Sequence, residues 1–130
     1  MKNNHTIDDN SLQDLLDKAA EQQEKLLTQL LTALEIIRSE ISPKINIRMI
    51  ALFLRIAIPE KIHMKSLVKS MGIPQGSLSR NIDMFRDKYK DGDGLDLLYT
   101  EDNPDNRSEK FVFLTERGQM LKQILVNVRS

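Results

Sequence analysis

From Ser11 to Ile41 the chain runs 31 residues without a glycine or a proline. Along it Leu12, Leu16, Ala19, Gln23, Leu26, Leu30, Ala33 and Ile37 recur at alternating steps of four and three. That spacing keeps one stripe on one side of a single long helix. Asp8, Asp9 and Asn10 stand before Ser11, supplying capping oxygens and negative charge at the positive end of the helix dipole. Between Leu26 and Ile37 a second stripe joins the first through Leu27, Leu31 and Leu34. A helix apolar over so wide an arc has two faces to bury. One can lie on its own domain and the other on the same helix of a second copy. Leu26, Leu27, Leu30, Leu31, Leu34 and Ile37 are therefore the expected contacts of a homodimer.

Ser42 and Pro43 fit the N-cap and first residue of a second helix, with Ile45, Met49, Leu52, Phe53, Ile56 and Ala57 turned inward and Pro59 ending it. A short helix follows from Met64 to Met71, burying Leu67, Val68 and Met71. Gly72 suits the left-handed turn that ends it. Pro74 opens a fourth helix to about Lys88, with Leu78, Ile82 and Phe85 inward. Two short helices around a glycine-bearing turn outline a helix-turn-helix. Beyond Lys90 the pattern changes. Asp91 to Gly94 reads as a loop, 95–100 and 109–114 as strands, and Asp102 to Arg107 as the turn between them. Thr115 then caps a last helix to about Val128. The expected organisation is a flexible leader over 1–10, a dimerisation helix over 11–41 and a winged helix-turn-helix domain over 42–130. The fold class is mainly α with a small β-hairpin.

A chain of 130 residues holds one core. It has no cysteine, which excludes disulfide scaffolds, thiolate metal sites and thiol sensing, and only two histidines, His5 and His63. No apolar run approaches the roughly 20 residues of a membrane helix, and the polar, acidic start is unlike a secretory signal. A cytoplasmic protein without membrane contact is expected. The net charge of zero conceals segregation. Residues 44–90 carry ten bases against three acids, a net +7, while 1–43 carry −4 and 91–130 carry −3. A basic middle third is the electrostatic footprint of a polyanion partner; the plainer reading is a solvated basic face.

Two chemical motifs fail on inspection. Asp91 to Asp96 has the look of a calcium loop, yet Leu95 falls where an oxygen ligand is needed and Asp96 where the sharp turn needs glycine. Glu60, His63 and Ser66 lack a nucleophile elbow or a second histidine. No metal, cofactor or enzymatic activity is expected.

The segment Met64–Ile82, MKSLVKSMGIPQGSLSRNI, resembles the helix-turn-helix of the multiple-antibiotic-resistance regulator (MarR) family. Asp102–Arg107, DNPDNR, with Lys110 beyond it, is similar to that family's acidic-proline-arginine wing. Phe113–Gly118, FLTERG, resembles its strand exit into the next helix. The resemblance covers about residues 44–125. It departs from the family at Arg86–Asp93, a longer stretch than usual before the wing. It departs again at Thr100, where a base is common, and in the short tail after Gly118. It implies a homodimeric, sequence-specific regulator of transcription, a repressor where its pseudo-palindromic site overlaps a promoter. It also implies a small-molecule effector as a partner class.

The residues support a double-stranded DNA partner in their own right. Gln75, Gly76, Ser77, Ser79, Arg80, Asn81 and Met84 face outward on an ideal fourth helix. Small residues at its start let the backbone approach phosphates. Arg80 can bond guanine with two prongs, and Gln75 or Asn81 can pair with adenine. Lys65, Arg86, Lys88 and Lys110 would flank the groove, and Arg107 at the wing tip fits a narrow minor groove. The competing readings are ion pairs of Arg80 with Asp83 or Asp87, and of Arg107 with Asp102 or Asp105. Two other functions fit the same outline. One is a winged-helix protein-interaction module, and the other is a replication or partition accessory DNA-binding protein of a mobile element.

Overall fold

In the computed structural model, which describes residues 8–128, helix α1 spans Asp9–Glu40. Residues 1–7 of the expected leader lie outside the described residues, whereas Asp8 already serves the helix: its carboxylate accepts the Ser11 N–H at 2.7 Å. That bond, then one from the Ser11 hydroxyl, holds the Asp8 carboxyl below its ordinary pKa. The chain forms two compact units, α1 up to Glu35 and Ile36–Asn127. In the first unit Leu26, Leu27, Leu30, Leu31 and Leu34 are all exposed. Ile37 departs from the expected dimer contacts. It belongs to the second unit and is only 3% exposed within that unit's core, together with Ile41.

Helix α2 covers Ile47–Ala57 and begins later than Ser42 and Pro43 suggest. The Ser42 hydroxyl accepts the Lys44 N–H at 3.1 Å and closes a local turn instead. Asn46 takes the cap, its side-chain oxygen accepting the Met49 N–H at 2.9 Å. After Pro59 comes a strand that periodicity does not announce, β1, Lys61–His63. Helix α3, Met64–Met71, ends where Gly72 adopts φ 65° and gives its N–H to the Val68 carbonyl.

Helix α4 occupies Gln75–Met84 and stops four residues short of Lys88. The cause lies in the returning chain. Leu95 donates its N–H to the Met84 carbonyl at 3.2 Å, and Leu97 and Leu98 donate to that of Phe85 at 2.7 and 3.0 Å. A further turn of helix would need those carbonyls for its own bonds. The residues in between close on themselves: β2, Lys88–Tyr89, pairs antiparallel with β3, Gly92–Asp93, around a Lys90–Asp91 turn. Asp91–Gly94 is thus the turn and second arm of a hairpin and not a free loop.

The wing is longer and tighter than its sequence suggests. Strand β4 is Leu98–Asn103 and β5 is Asn106–Leu114, joined by Pro104–Asp105. Leu95 and Asp96 are spent on reattaching the chain to α4, so the strand starts at Leu98. The Asn103 side chain accepts the Asp105 N–H at 2.9 Å and fixes the turn. Strand β1 completes the sheet in the order β1-β5-β4. Helix α5, Glu116–Val126, is capped by Thr115, whose hydroxyl accepts the Gly118 N–H at 3.0 Å and donates to the Asp96 carbonyl at 2.7 Å.

The core of this unit joins every layer. Leu52, Phe53 and Ile56 of α2, Leu67 of α3, Leu78 and Ile82 of α4, and Val112 of β5 are each at most 1% exposed. Phe53 stacks on Phe85 with ring centroids 6.2 Å apart, at the end of α4. Burial of each such side chain contributes about 1.5–3 kcal/mol, enough to lock α4 against the sheet.

Gly94 is where the hairpin must close. A Cβ there would lie 2.0 Å from the Arg86 carbonyl oxygen, whereas one on Gly92 would meet nothing within 4 Å. Gly94→Ala is expected to lower stability by about 3 kcal/mol through overpacking, with Gly92→Ala close to neutral. Urea unfolding of both variants checks this through the midpoint at constant m-value. Equal midpoints would contradict the close approach.

Candidate nucleic-acid interface

Helix α4 buries Leu78 and Ile82 and turns Gln75, Gly76 and Arg80 to solvent, with Ser77 and Ser79 half-exposed. Arg80 runs back along its own helix: Nη2 donates to the Ser77 hydroxyl at 3.2 Å, and a Cβ on Gly76 would touch Nη1 at 3.7 Å. A small residue at 76 therefore leaves the guanidinium room to lie flat along the helix and swing outward. Neither Asp83 nor Asp87 pairs with it. Asp83 stands 3.7 Å from Arg86 instead. The Arg80 donors are thus held by one neutral hydroxyl on an exposed face, and a stronger acceptor can take them over.

Cations gather at both ends of this helix. At its N-terminal end a small recess is lined by Lys65 from the start of α3, Gln75 from the start of α4, and Ser108, Glu109 and Lys110 from β5. The register sets Lys110 opposite Asp102, and both side chains are exposed. Glu109 is engaged inward: its carboxylate lies 3.7 Å from His63 Nδ1 and accepts from Asn103 Nδ2 at 3.2 Å. At the C-terminal end a second groove is lined by Arg80, Asp83, Arg86, Lys88, Tyr89 and Lys90. Arg86 also donates to the Thr100 hydroxyl, so this residue of β4 positions the guanidinium rather than contributing a charge of its own.

Two expected contacts are placed differently. Asn81 is half-buried, and its Nδ2 lies buried without a hydrogen-bond partner, so that end of the amide faces inward. Met84 is also half-buried. It packs against the core and lines an apolar cavity of about 290 Å³ with Ile45, Met49, Tyr89 and Leu95. Asn81 follows Leu78 by three residues and precedes Phe85 by four, so it flanks the buried face, and Met84 is covered where the returning chain meets the end of α4. Arg107 follows the wing turn as the second residue of β5 and is exposed. Among the described residues it forms no ion pair with Asp102 or Asp105.

Sequence reasoning missed Lys90 and Tyr89. Lys88–Tyr89 and Gly92–Asp93 around a two-residue turn were the available signal, but arms of two residues carry no alternation to read. The Glu60–His63–Ser66 grouping separates: Glu60 pairs with Lys122 at 2.6 Å, and His63 packs tilted against Phe111, ring centroids 4.3 Å apart, beside Glu109. Among the described residues no three His, Asp or Glu side chains gather as a metal site, and no helix is long and apolar enough to cross a membrane.

Arg80→Ala is expected to cost about 1–3 kcal/mol of affinity on a selected duplex and much less on random duplex, with Asn81→Ala nearly silent on both. Anisotropy titrations at one salt concentration check it. Equal losses for Arg80→Ala on the two DNAs would show that α4 does not read bases.

Comparison with known proteins finds no matching family model and no matching curated protein. Solved structures do match. RV1404 from Mycobacterium tuberculosis is 16% identical with a TM-score of 0.62, over 98% of this chain and 78% of that one. AbsC, a MarR family transcriptional regulator from Streptomyces coelicolor, is 13% identical with a TM-score of 0.55, over 95% and 75%. A mutant MarR from E. coli complexed with operator DNA is 17% identical with a TM-score of 0.54, over 79% and 69%. At these identities the likeness establishes the fold, a MarR-like winged helix.

Proposed function

We propose that this chain is a sequence-specific double-stranded DNA-binding regulator of transcription that acts as a homodimer, repressing where its site overlaps a promoter. The observation that carries the reading is the exposed face of α4, with Arg80 at its middle and cationic clusters at either end. A helix inserted in the major groove passes between two phosphate backbones, and side chains at its two ends are the ones that meet them. Arg107 on the wing would enter the neighbouring minor groove. The operator complex of the E. coli MarR mutant and the regulatory role given for AbsC support the assignment. The chemistry is recognition, not catalysis. The cytoplasm is the compartment that fits such a partner. A small-molecule effector belongs to the same reading, and the apolar cavity beside Met84 and Tyr89 is where one would act on the end of α4.

The homodimer rests on α1. Leu12, Leu15, Leu16, Leu26, Leu27, Leu30, Leu31 and Leu34 are each 41–66% exposed. A leucine stripe of that length is an interaction surface, and a second α1 carries the same stripe. A dimer would present two α4 helices to half-sites about one helical turn apart.

Two outcomes are expected. If four phosphates are neutralised, affinity should fall about a hundredfold between roughly 50 and 200 mM salt, at a slope of about 0.9 per phosphate. Affinity that stays flat over this range would contradict the interface. Replacing Leu27 and Leu31 by glutamate should turn a dimer into a monomer or a misfolded chain, read by sedimentation. Wild-type protein sedimenting as a monomer at micromolar concentration would refute the pairing.

A further inference from the structure

We propose that the β2–β3 hairpin is a second, smaller wing, with Lys90 and Lys88 binding a backbone phosphate of the duplex at the C-terminal end of α4; this rests on the DNA-binding reading above. The hairpin leaves the fold immediately after α4 and rejoins it at Gly94, whose N–H bonds the Asp87 carbonyl at 3.0 Å. Its tip is therefore tied to the recognition helix by a few covalent bonds and a short hydrogen-bonded ladder.

The groove between hairpin and helix is cationic. Of the six residues that line it, Arg80, Arg86, Lys88 and Lys90 are basic, and Asp83 is the single acid. Asp83 is itself engaged by Arg86. Asp87, Asp91 and Asp93 are exposed and are not among the residues that line it, although Asp93 stands opposite Lys88 in the hairpin register. Lys88 and Lys90 are exposed, so their ammonium groups keep donors for an incoming oxygen. Tyr89 lies between them, half-buried, and its ring sits 5.2 Å from the Lys90 ammonium. That contact draws a long, flexible side chain toward the groove and lowers the entropy lost when it binds.

The backbone at Lys90 points the same way. Its φ is 56°, the left-handed region that asparagine and glycine enter readily and lysine does not. In a two-residue turn an asparagine would relieve that strain. The lysine stands where glycine or asparagine would fit the backbone more readily, an observation that adds to the cationic groove but does not stand without it, since Glu60 shares the conformation.

The test sets stability against binding. Lys90→Asn should melt at or above the wild-type temperature, because asparagine tolerates the turn. Its affinity for a fluorescein-labelled mixed-sequence duplex should nonetheless be about fourfold weaker near 0.2 M salt, with the slope of log affinity against log salt reduced by about 0.9. Lys88→Gln should reduce the slope by a similar amount, and Lys90→Arg should restore it. A wild type that binds with a steep slope while Lys90→Asn keeps that slope would overturn the second wing and leave the DNA-binding reading intact. A wild type that binds no duplex would overturn both.

Discussion

The carbonyl oxygen of Phe85 accepts two backbone N–H groups, from Leu97 at 2.7 Å and Leu98 at 3.0 Å. These bonds, with the stacking of Phe85 on Phe53, fix three things at once. They end α4 at Met84, they start β4, and they set the distance from α4 to the wing. An insertion between Phe85 and Leu95 is then free to form its own hairpin without disturbing the wing, since both of its ends are pinned to the same short stretch of backbone. The extra length before the wing is absorbed by the hairpin, and the wing stays attached directly to the end of α4.

Most of the fold was legible because its signals are periodic. Twenty-six residues of alternating four- and three-residue spacing, Leu12 to Ile37, announce α1, and Gly72 and Pro74 mark the turn between α3 and α4 through their backbone preferences alone. What could not be read depends on contacts distant in sequence. Strand β1 is three residues long and exists because β5 pairs with it, His63 opposite Phe111. Ile37 looks like its neighbours on the helical stripe, but α1 enters the core of the second unit at that point. Of the expected site, Gln75, Arg80 and the small residues between them stand on the outward side of the helix. Asn81 instead flanks the buried face between Leu78 and Phe85, and Met84 is covered by the chain that returns to the end of α4.

The two units divide the physical work. The second buries a continuous core that packs α2 to α5 together. The first is a helix whose leucines are exposed, and such a helix gains little from its own backbone bonds in water. Under the proposed dimer, pairing stabilises α1 and at the same time gives the protein two reading heads, so oligomerisation and operator symmetry follow from the same stripe. The net charge of zero is compatible with this arrangement because the acids of α1 lie outside the basic third. A polyanion responds to the local field within about 10 Å at ordinary salt, not to the whole-chain sum.

The central claim is that α4 lies in the major groove with its cations on the flanking backbones. Guanine N7 lines that groove and no other, so dimethyl sulfate protection on a duplex selected from random sequence tests the claim directly. Two patches of guanine N7 protected by wild-type protein, their centres about 10 base pairs apart, are the result expected. Unchanged guanine N7 methylation in a duplex that the protein demonstrably binds would place the contact elsewhere and contradict the account.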